Sequence, residues 1–212
     1  SGKAIVKADH VVSFQLPKLA FFMPENSEYV GQWSVVDIGL SRKFIRDEPC
    51  QTRMLRRSAV RKRLKARRKF DHKGTFGRAL IVSGSYGKMG AAVLCARACQ
   101  RAGAGLTTVH VPTAGYDVVQ TAVPEAMVSL DVGARFITGV ANIDRYDAIG
   151  VGPGIDTHMD TAVALERLLT NHRGGLVMDA DALNILSQHP HLREKLPEGA
   201  ILTPHPGEFK RL

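Results

Sequence analysis

The chain has 212 residues, 44% hydrophobic and 23% charged, the balance of a globular protein rather than a disordered or low-complexity one. It contains no run of about eighteen apolar residues that could span a membrane, and the start Ser1-Gly2-Lys3-Ala4 lacks the pattern of a signal peptide, so a cytoplasmic protein is expected. The formal charge of +9 has one source: residues 53–73 hold eleven Lys and Arg against the single acid Asp71, leaving −1 for the rest. A fold-wide basic surface is therefore excluded, and any nucleic-acid binding is confined to that segment.

Residues 1–45 carry apolar runs at 10–14, 19–22 and 33–38, punctuated by Pro17, Pro24, Asn26 and Gly31, which predicts short strands and turns. Forty-five such residues are too few for a core of their own, so they are expected to end a domain that begins upstream. Residues 46–69 form a basic, solvated linker in which Leu55, Ala59 and Leu64 allow a helix. From residue 70 strands and helices alternate. Strands are predicted at 79–82, 106–111, 147–151, 176–179 and 200–203, and helices at 91–102, near 158–170 and from 181. Gly103 and Gly105 end the first helix, whose predicted buried stripe is Ala91, Leu94, Cys95, Ala98, Cys99 and Ala102. Cys95 and Cys99 read as small buried apolar residues in preference to a metal or redox pair. With Cys50 they make an odd, sparse set that suits a reducing compartment. The pattern predicts a mainly parallel sheet in a three-layer α/β/α domain over 70–212. The chain stops where a further helix begins, and the domain is expected to continue.

Ligands of such sheets bind at the C-terminal ends of the strands, and four unusual clusters fall there. Gly84-Ser85-Tyr86-Gly87-Lys88-Met89-Gly90-Ala91-Ala92 is a glycine turn opening a helix, suited to anions, though its spacing is neither the Rossmann fingerprint nor a P-loop. Gly150-Val151-Gly152-Pro153-Gly154 is either a plain tight turn or a surface where a flat ligand nears the backbone. In Asp179-Ala180-Asp181-Ala182-Leu183-Asn184 two acids and an amide close a strand and open a helix; the readings are a helix cap, which seldom needs both acids, or a functional role for at least one of them. In Thr203-Pro204-His205-Pro206-Gly207-Glu208-Phe209 two prolines fix a histidine at a strand end, and Glu208 suits the first helical turn.

Taken in order with Lys73-Gly74-x-x-Gly77, Arg101-Ala102-Gly103-Ala104-Gly105-Leu106 and Val123-Pro124-Glu125-Ala126-Met127, these clusters resemble the ADP- or ATP-dependent NAD(P)H-hydrate dehydratases, whose fold is ribokinase-like. The segments Ala8-Asp9-His10, Pro17-Lys18-Leu19, Glu28-Tyr29-Val30-Gly31 and Val36-Asp37-Ile38-Gly39 resemble the last strands of the Rossmann-like NAD(P)H-hydrate epimerase domain. The resemblance implies a bifunctional repair enzyme. Its epimerase part interconverts the epimers of hydrated NADH or NADPH, with a potassium ion. Its dehydratase part phosphorylates the added hydroxyl from ADP or ATP with Mg²⁺ and eliminates phosphate.

Carried onto this sequence, the resemblance implies a substrate site of Ala91, Gly154, His205, Pro206, Gly207, Glu208, Phe209, Lys210 and Arg211, with Asn184 and Asp181 close by and Asp181 the candidate catalytic acid within this chain. No residue is assigned to a metal. The family's catalytic Asp and nucleotide-gripping segment are expected beyond Leu212, and the epimerase's catalytic acid before Ser1, so this chain alone is expected to be inactive in both reactions. A homo-oligomer is expected from the same resemblance. The rival enzyme is a ribokinase-like kinase of a vitamin-precursor alcohol, against which the epimerase-like segment argues. The rival of another class is nucleic-acid binding through 53–73. That stretch has Phe70 as its one aromatic residue and so lacks stacking platforms.

Overall fold

The computed structural model describes residues 4–212, and the chain divides into two compact units after Ala66. In the first unit β1 (Ala8–Phe14) pairs in parallel with β2 (Val30–Val36). Residues 19–22, read from the sequence as an apolar run among strands, instead form a 3₁₀ turn. There Phe21 and Phe22 lie 5.8 and 5.5 Å from the Trp33 ring. Two short helices follow, α1 (Arg42–Asp47) and α2 (Arg57–Arg63). Among the described residues of this unit Ser13 alone is buried, while Val12, Phe14 and Val36 stand exposed.

The second unit contains a six-stranded, wholly parallel sheet in the order β5-β4-β3-β6-β7-β8. Its elements run β3 (Arg78–Val82), α3 (Met89–Ala102), β4 (Leu106–Val111), α4 (Tyr116–Ala122) and β5 (Met127–Leu130). They continue with β6 (Ala148–Val151), α5 (Met159–Asn171), β7 (Gly175–Met178), α6 (Asp181–Gln188), β8 (Ile201–Leu202) and α7 (Pro206–Arg211). Leu80, Val82, Ile149, Val151, Leu176 and Met178 point to one face and pack with α5 and α6. Val109 and Val111 point to the other and pack with α3 and α4. Alternate side chains of a strand face opposite sides, so apolar runs such as Leu80-Ile81-Val82 follow from cover on both faces. The result is the three-layer α/β/α arrangement.

α3 corrects the sequence-derived stripe. Its buried residues are Met89, Ala92 and Ala96, while Leu94 is 68% exposed and Ala98 also faces outward. The small side chains face the sheet because the helix starts hard against the glycine turn: a Cβ on Gly84 would lie 3.2 Å from that of Ala92. Gly103, left-handed with φ 106°, ends the helix as predicted.

Candidate active site

β3 and β6 are neighbours at the centre of the sheet, but the chain leaves β3 for β4 and β5 on one side before it builds β6, β7 and β8 on the other. The strand order thus reverses between them, and open α/β sheets bind ligands in the crevice at the C-terminal ends of such a pair of strands. Both glycine clusters border it. The Ser83 hydroxyl and the Gly84 N–H donate to the Pro153 carbonyl at 2.5 and 2.9 Å and tie the two turns together. Gly152, with φ 134°, has no room for a side chain because a Cβ there would run into the Asp179 carbonyl. Gly154, with φ 70°, sits where a Cβ would be 2.9 Å from the Ala91 Cβ and 3.1 Å from the Lys88 carbonyl. Two residues of the sequence-derived substrate set, Ala91 and Gly154, thus meet across the crevice.

Along the crevice runs a line of polar groups. Lys88 Nζ lies 2.9 Å from Asp156 Oδ2 and 3.5 Å from Asp181 Oδ2. The Asp156 N–H donates to Asp181 Oδ2 at 2.9 Å. Asn184 Nδ2 approaches Asp181 Oδ1 at 3.5 Å, and Arg211 donates to Asn184 Oδ1 at 2.8 Å. Asp181 therefore braces the turn after β6 and faces a cation, in place of capping its own helix, whose N-cap is Ala180. The hydrogen bond to Asp156, with the charges of Asp181 and Asp156, outweighs partial burial and raises the Lys88 pKa above its ordinary range. The Lys88 hydrogen bond in turn lowers that of Asp156. Among the described residues Asp156 is one of four non-glycine residues at positive φ, here 71°, a backbone state that costs energy and concentrates at functional sites.

The proline-flanked segment folds as a capped helix start. Glu208 is buried and accepts from the His205 N–H at 2.9 Å, while His205 Nδ1 accepts from the Gly207 N–H at 3.0 Å. One Glu208 oxygen is committed to this cap, and His205 Nε2 lies 3.4 Å from the other. His205 is exposed, as are Pro206, Phe209, Lys210 and Arg211, while Gly207 is half-buried. Arg211 joins this segment to the crevice through Asn184, whereas Phe209 and Lys210 have no such link among the described bonds.

Sequence reasoning did not single out Asp156, and met Lys88 only as one residue of a glycine turn. It also passed over Ser85, whose hydroxyl is buried in that turn with no partner among the described residues. The one signal for Asp156 was an acid two residues after a strand-end Gly-Pro-Gly. A cavity of about 640 Å³ lies at the other end of the sheet, between the end of α3 (Arg97, Arg101) and the start of β4 (Leu106), away from all these groups. The crevice is the candidate site because ligands of open α/β sheets bind at the C-terminal ends of the strands, where Lys88, Asp156 and Asp181 meet.

Residues 79–212 match the family model described as NAD(P)H-hydrate dehydratase. The bifunctional NAD(P)H-hydrate repair enzyme of Moorella thermoacetica is 32% identical over 218 residues, covering 98% of this chain and 41% of the relative. That of Escherichia coli is 33% identical over 211 residues, covering 99% of this chain and 39% of the relative. The chain thus spans about two fifths of the length of these relatives. The ADP/ATP-dependent NAD(P)H-hydrate dehydratase of Bacillus subtilis, co-crystallised with ATP and Mg²⁺, superposes with a TM-score of 0.60 at 30% identity, over 73% of this chain and 53% of the other. A ribokinase-like superfamily protein of Enterococcus faecalis superposes with a TM-score of 0.61 at 27% identity, over 70% of this chain and 52% of the other.

Proposed function

This chain belongs to the NAD(P)H-hydrate dehydratase family, and from that premise we propose that its crevice holds the hydrated nicotinamide of NADH or NADPH during nucleotide-dependent dehydration. The observation that carries the reading is the meeting of Gly154 and Ala91 at the point where the strand order reverses. The two backbones approach closely there without bulky side chains, and the charged groups of Lys88 and Asp156 lie alongside. A flat, hydrogen-bonding ring fits such a surface.

In the proposed reaction the ring hydroxyl takes a phosphoryl group from the nucleotide. The carbon–oxygen bond then breaks, phosphate leaves with the electron pair, and the adjacent ring carbon loses a proton to restore the double bond. Phosphorylation is needed because hydroxide leaves poorly. Lys88 supplies positive charge at the crevice to receive the phosphoryl oxygens, and Asp156 and Asp181 hold it in place until the ligand arrives. Arg211 meets the crevice residues from the β8 side, where Asn184 accepts a hydrogen bond from its guanidinium. No cluster of three or more His, Cys, Asp or Glu side chains that could hold a metal ion exists among the described residues. These residues do not form a resident Mg²⁺ cage, so no step is assigned to one; a Mg²⁺ ion would enter on the nucleotide phosphates.

Return of the reduced-nicotinamide absorbance from purified NADH hydrate, with ADP or ATP and Mg²⁺, tests the proposal on this chain and on the same chain within a longer gene product. Restored NADH in either form supports it. Accumulation of a phosphorylated small alcohol, with no NADH restored by either, would replace it with a kinase.

A further inference from the structure

The loop between β5 and β6 is held by a buried pair that the chemistry above does not use. Asp131 and His110 are 4% and 3% exposed. The Asp131 carboxylate accepts from the N–H groups of Gly133, Thr138 and Gly139 at 2.6, 2.9 and 3.0 Å, and from the Thr138 hydroxyl at 2.5 Å. His110 Nε2 lies 3.2 Å from the same carboxylate and 2.8 Å from the Gly139 carbonyl oxygen. One carboxylate thus closes residues 133–139 into a fixed loop.

The tip of that loop is tied to elements on both sides of the crevice. The Tyr86 N–H donates to the Arg135 carbonyl at 2.9 Å, and the Arg135 guanidinium lies over the Tyr86 ring, 4.5 Å from its centroid. Phe136 stacks on His158, the N-cap of α5, with ring centroids 4.5 Å apart and planes 4° from parallel. Arg135 is exposed, and among the described residues no ion pair involves it. An arginine kept only for solubility needs neither the backbone tether nor the ring. A guanidinium held flat on an aromatic face beside an anion-accepting turn offers its fork of donors to a phosphate.

Resting on the reading of the crevice as the hydrate site, we propose that Arg135 is a recognition residue for a phosphate of the bound ligand, and that Asp131 is its positioning residue. The phosphate belongs either to the dinucleotide substrate or to the donor nucleotide, and the test separates the two.

Binding of NADH, NADPH and ADP is titrated on the wild-type chain and on R135A, R135K and D131N, and KM is measured for hydrate and nucleotide wherever turnover is found. R135A is expected to weaken the ligand whose phosphate it holds by about ten- to a hundredfold. R135K recovers part of the loss. Weakened NADH and NADPH binding identifies the dinucleotide, weakened NADPH alone its 2′-phosphate, and weakened ADP alone the donor. D131N reproduces the loss with Arg135 intact and adds little to it in the R135A background. It also speeds amide exchange at Gly133, Gly139 and Tyr86, which R135A does not. Should D131N fail to fold, T138A, which removes one of the four bonds, takes its place. Unchanged affinity in R135A, or no binding by the wild type, overturns the proposal, and full additivity of D131N with R135A overturns the positioning half. If no form dehydrates a hydrate while R135A still weakens ADP binding, the proposed function falls and the role of Arg135 stands.

Discussion

The Lys88 ammonium reaches across the crevice between the two central strands to the Asp156 carboxylate, 2.9 Å away. The two side chains are 47% and 36% exposed, so water screens their attraction and the pair contributes no more than about 1 kcal/mol to stability. Its weight is expected in ligand binding. K88A should lower affinity for the phosphorylated ligand far more than it lowers the urea midpoint, and an equal loss in both would reduce Lys88 to a structural role.

The pair also predicts a pH signature. Asp156 is held below its ordinary 3.8 first by the Lys88 hydrogen bond. Its stabilisation is present above that value and is lost as pH falls through the lower, folded-state pKa. Lys88 is held above its ordinary 10.5 first by the Asp156 hydrogen bond. Its stabilisation is complete below that value and is lost as pH rises through the folded-state pKa. Urea melts of wild type and K88A should differ by a constant amount across neutral pH and draw together at both extremes. A difference that varies between pH 5 and 9 would point to another titrating partner.

Gly154 packs directly on the start of α3. In G154A the new Cβ would stand 2.9 Å from the Ala91 Cβ at a φ of 70°, so overpacking and backbone strain act together. A loss of about 1–3 kcal/mol in unfolding free energy is expected, with loss of hydrate turnover in any active form. Retained turnover would move the substrate away from this turn.

Ser85 offers a test in the opposite direction. Its buried hydroxyl lacks a partner among the described residues, and an unsatisfied buried hydroxyl costs about 1–3 kcal/mol. S85A should therefore match or exceed the wild type in stability without ligand. If a bound ligand or its water satisfies the hydroxyl, the rise in Tm on adding ligand will be smaller in S85A. A destabilised S85A would show that the hydroxyl is already satisfied.

Asp131 should govern the acid limit of the second unit. Burial alone would raise its pKa, but the bonds from Thr138, Gly133 and Gly139 outweigh it and hold the carboxyl below its ordinary 3.8. Its stabilisation is then present above that value and lost as pH falls through the folded pKa. D131A leaves several buried donors unpaired and should cost at least about 3 kcal/mol at neutral pH, with the gap to wild type narrowing in acid melts.

Much of the fold was legible because parallel strands covered on both faces must be continuous apolar runs. The segments 79–82, 106–111 and 147–151 needed no other clue. α4 and β5 were missed, since seven and four residues give little periodicity to read. The buried stripe of α3 was misplaced because apolar residues surround most of that helix, and periodicity alone could not choose among its faces. Packing against Gly84 chose the one with the smallest side chains.

The sequence by itself determined the alternation of strands and helices, the glycine turns and the acids and histidine at strand ends, since these are local properties of backbone and side chain. The tertiary structure alone decided which strand ends are neighbours. Lys88 meets Asp156, Tyr86 meets Arg135, and Ala91 meets Gly154 only because the strand order reverses between β3 and β6. A contact between residues so far apart in the chain is set by the packing of the whole sheet, which no local pattern encodes.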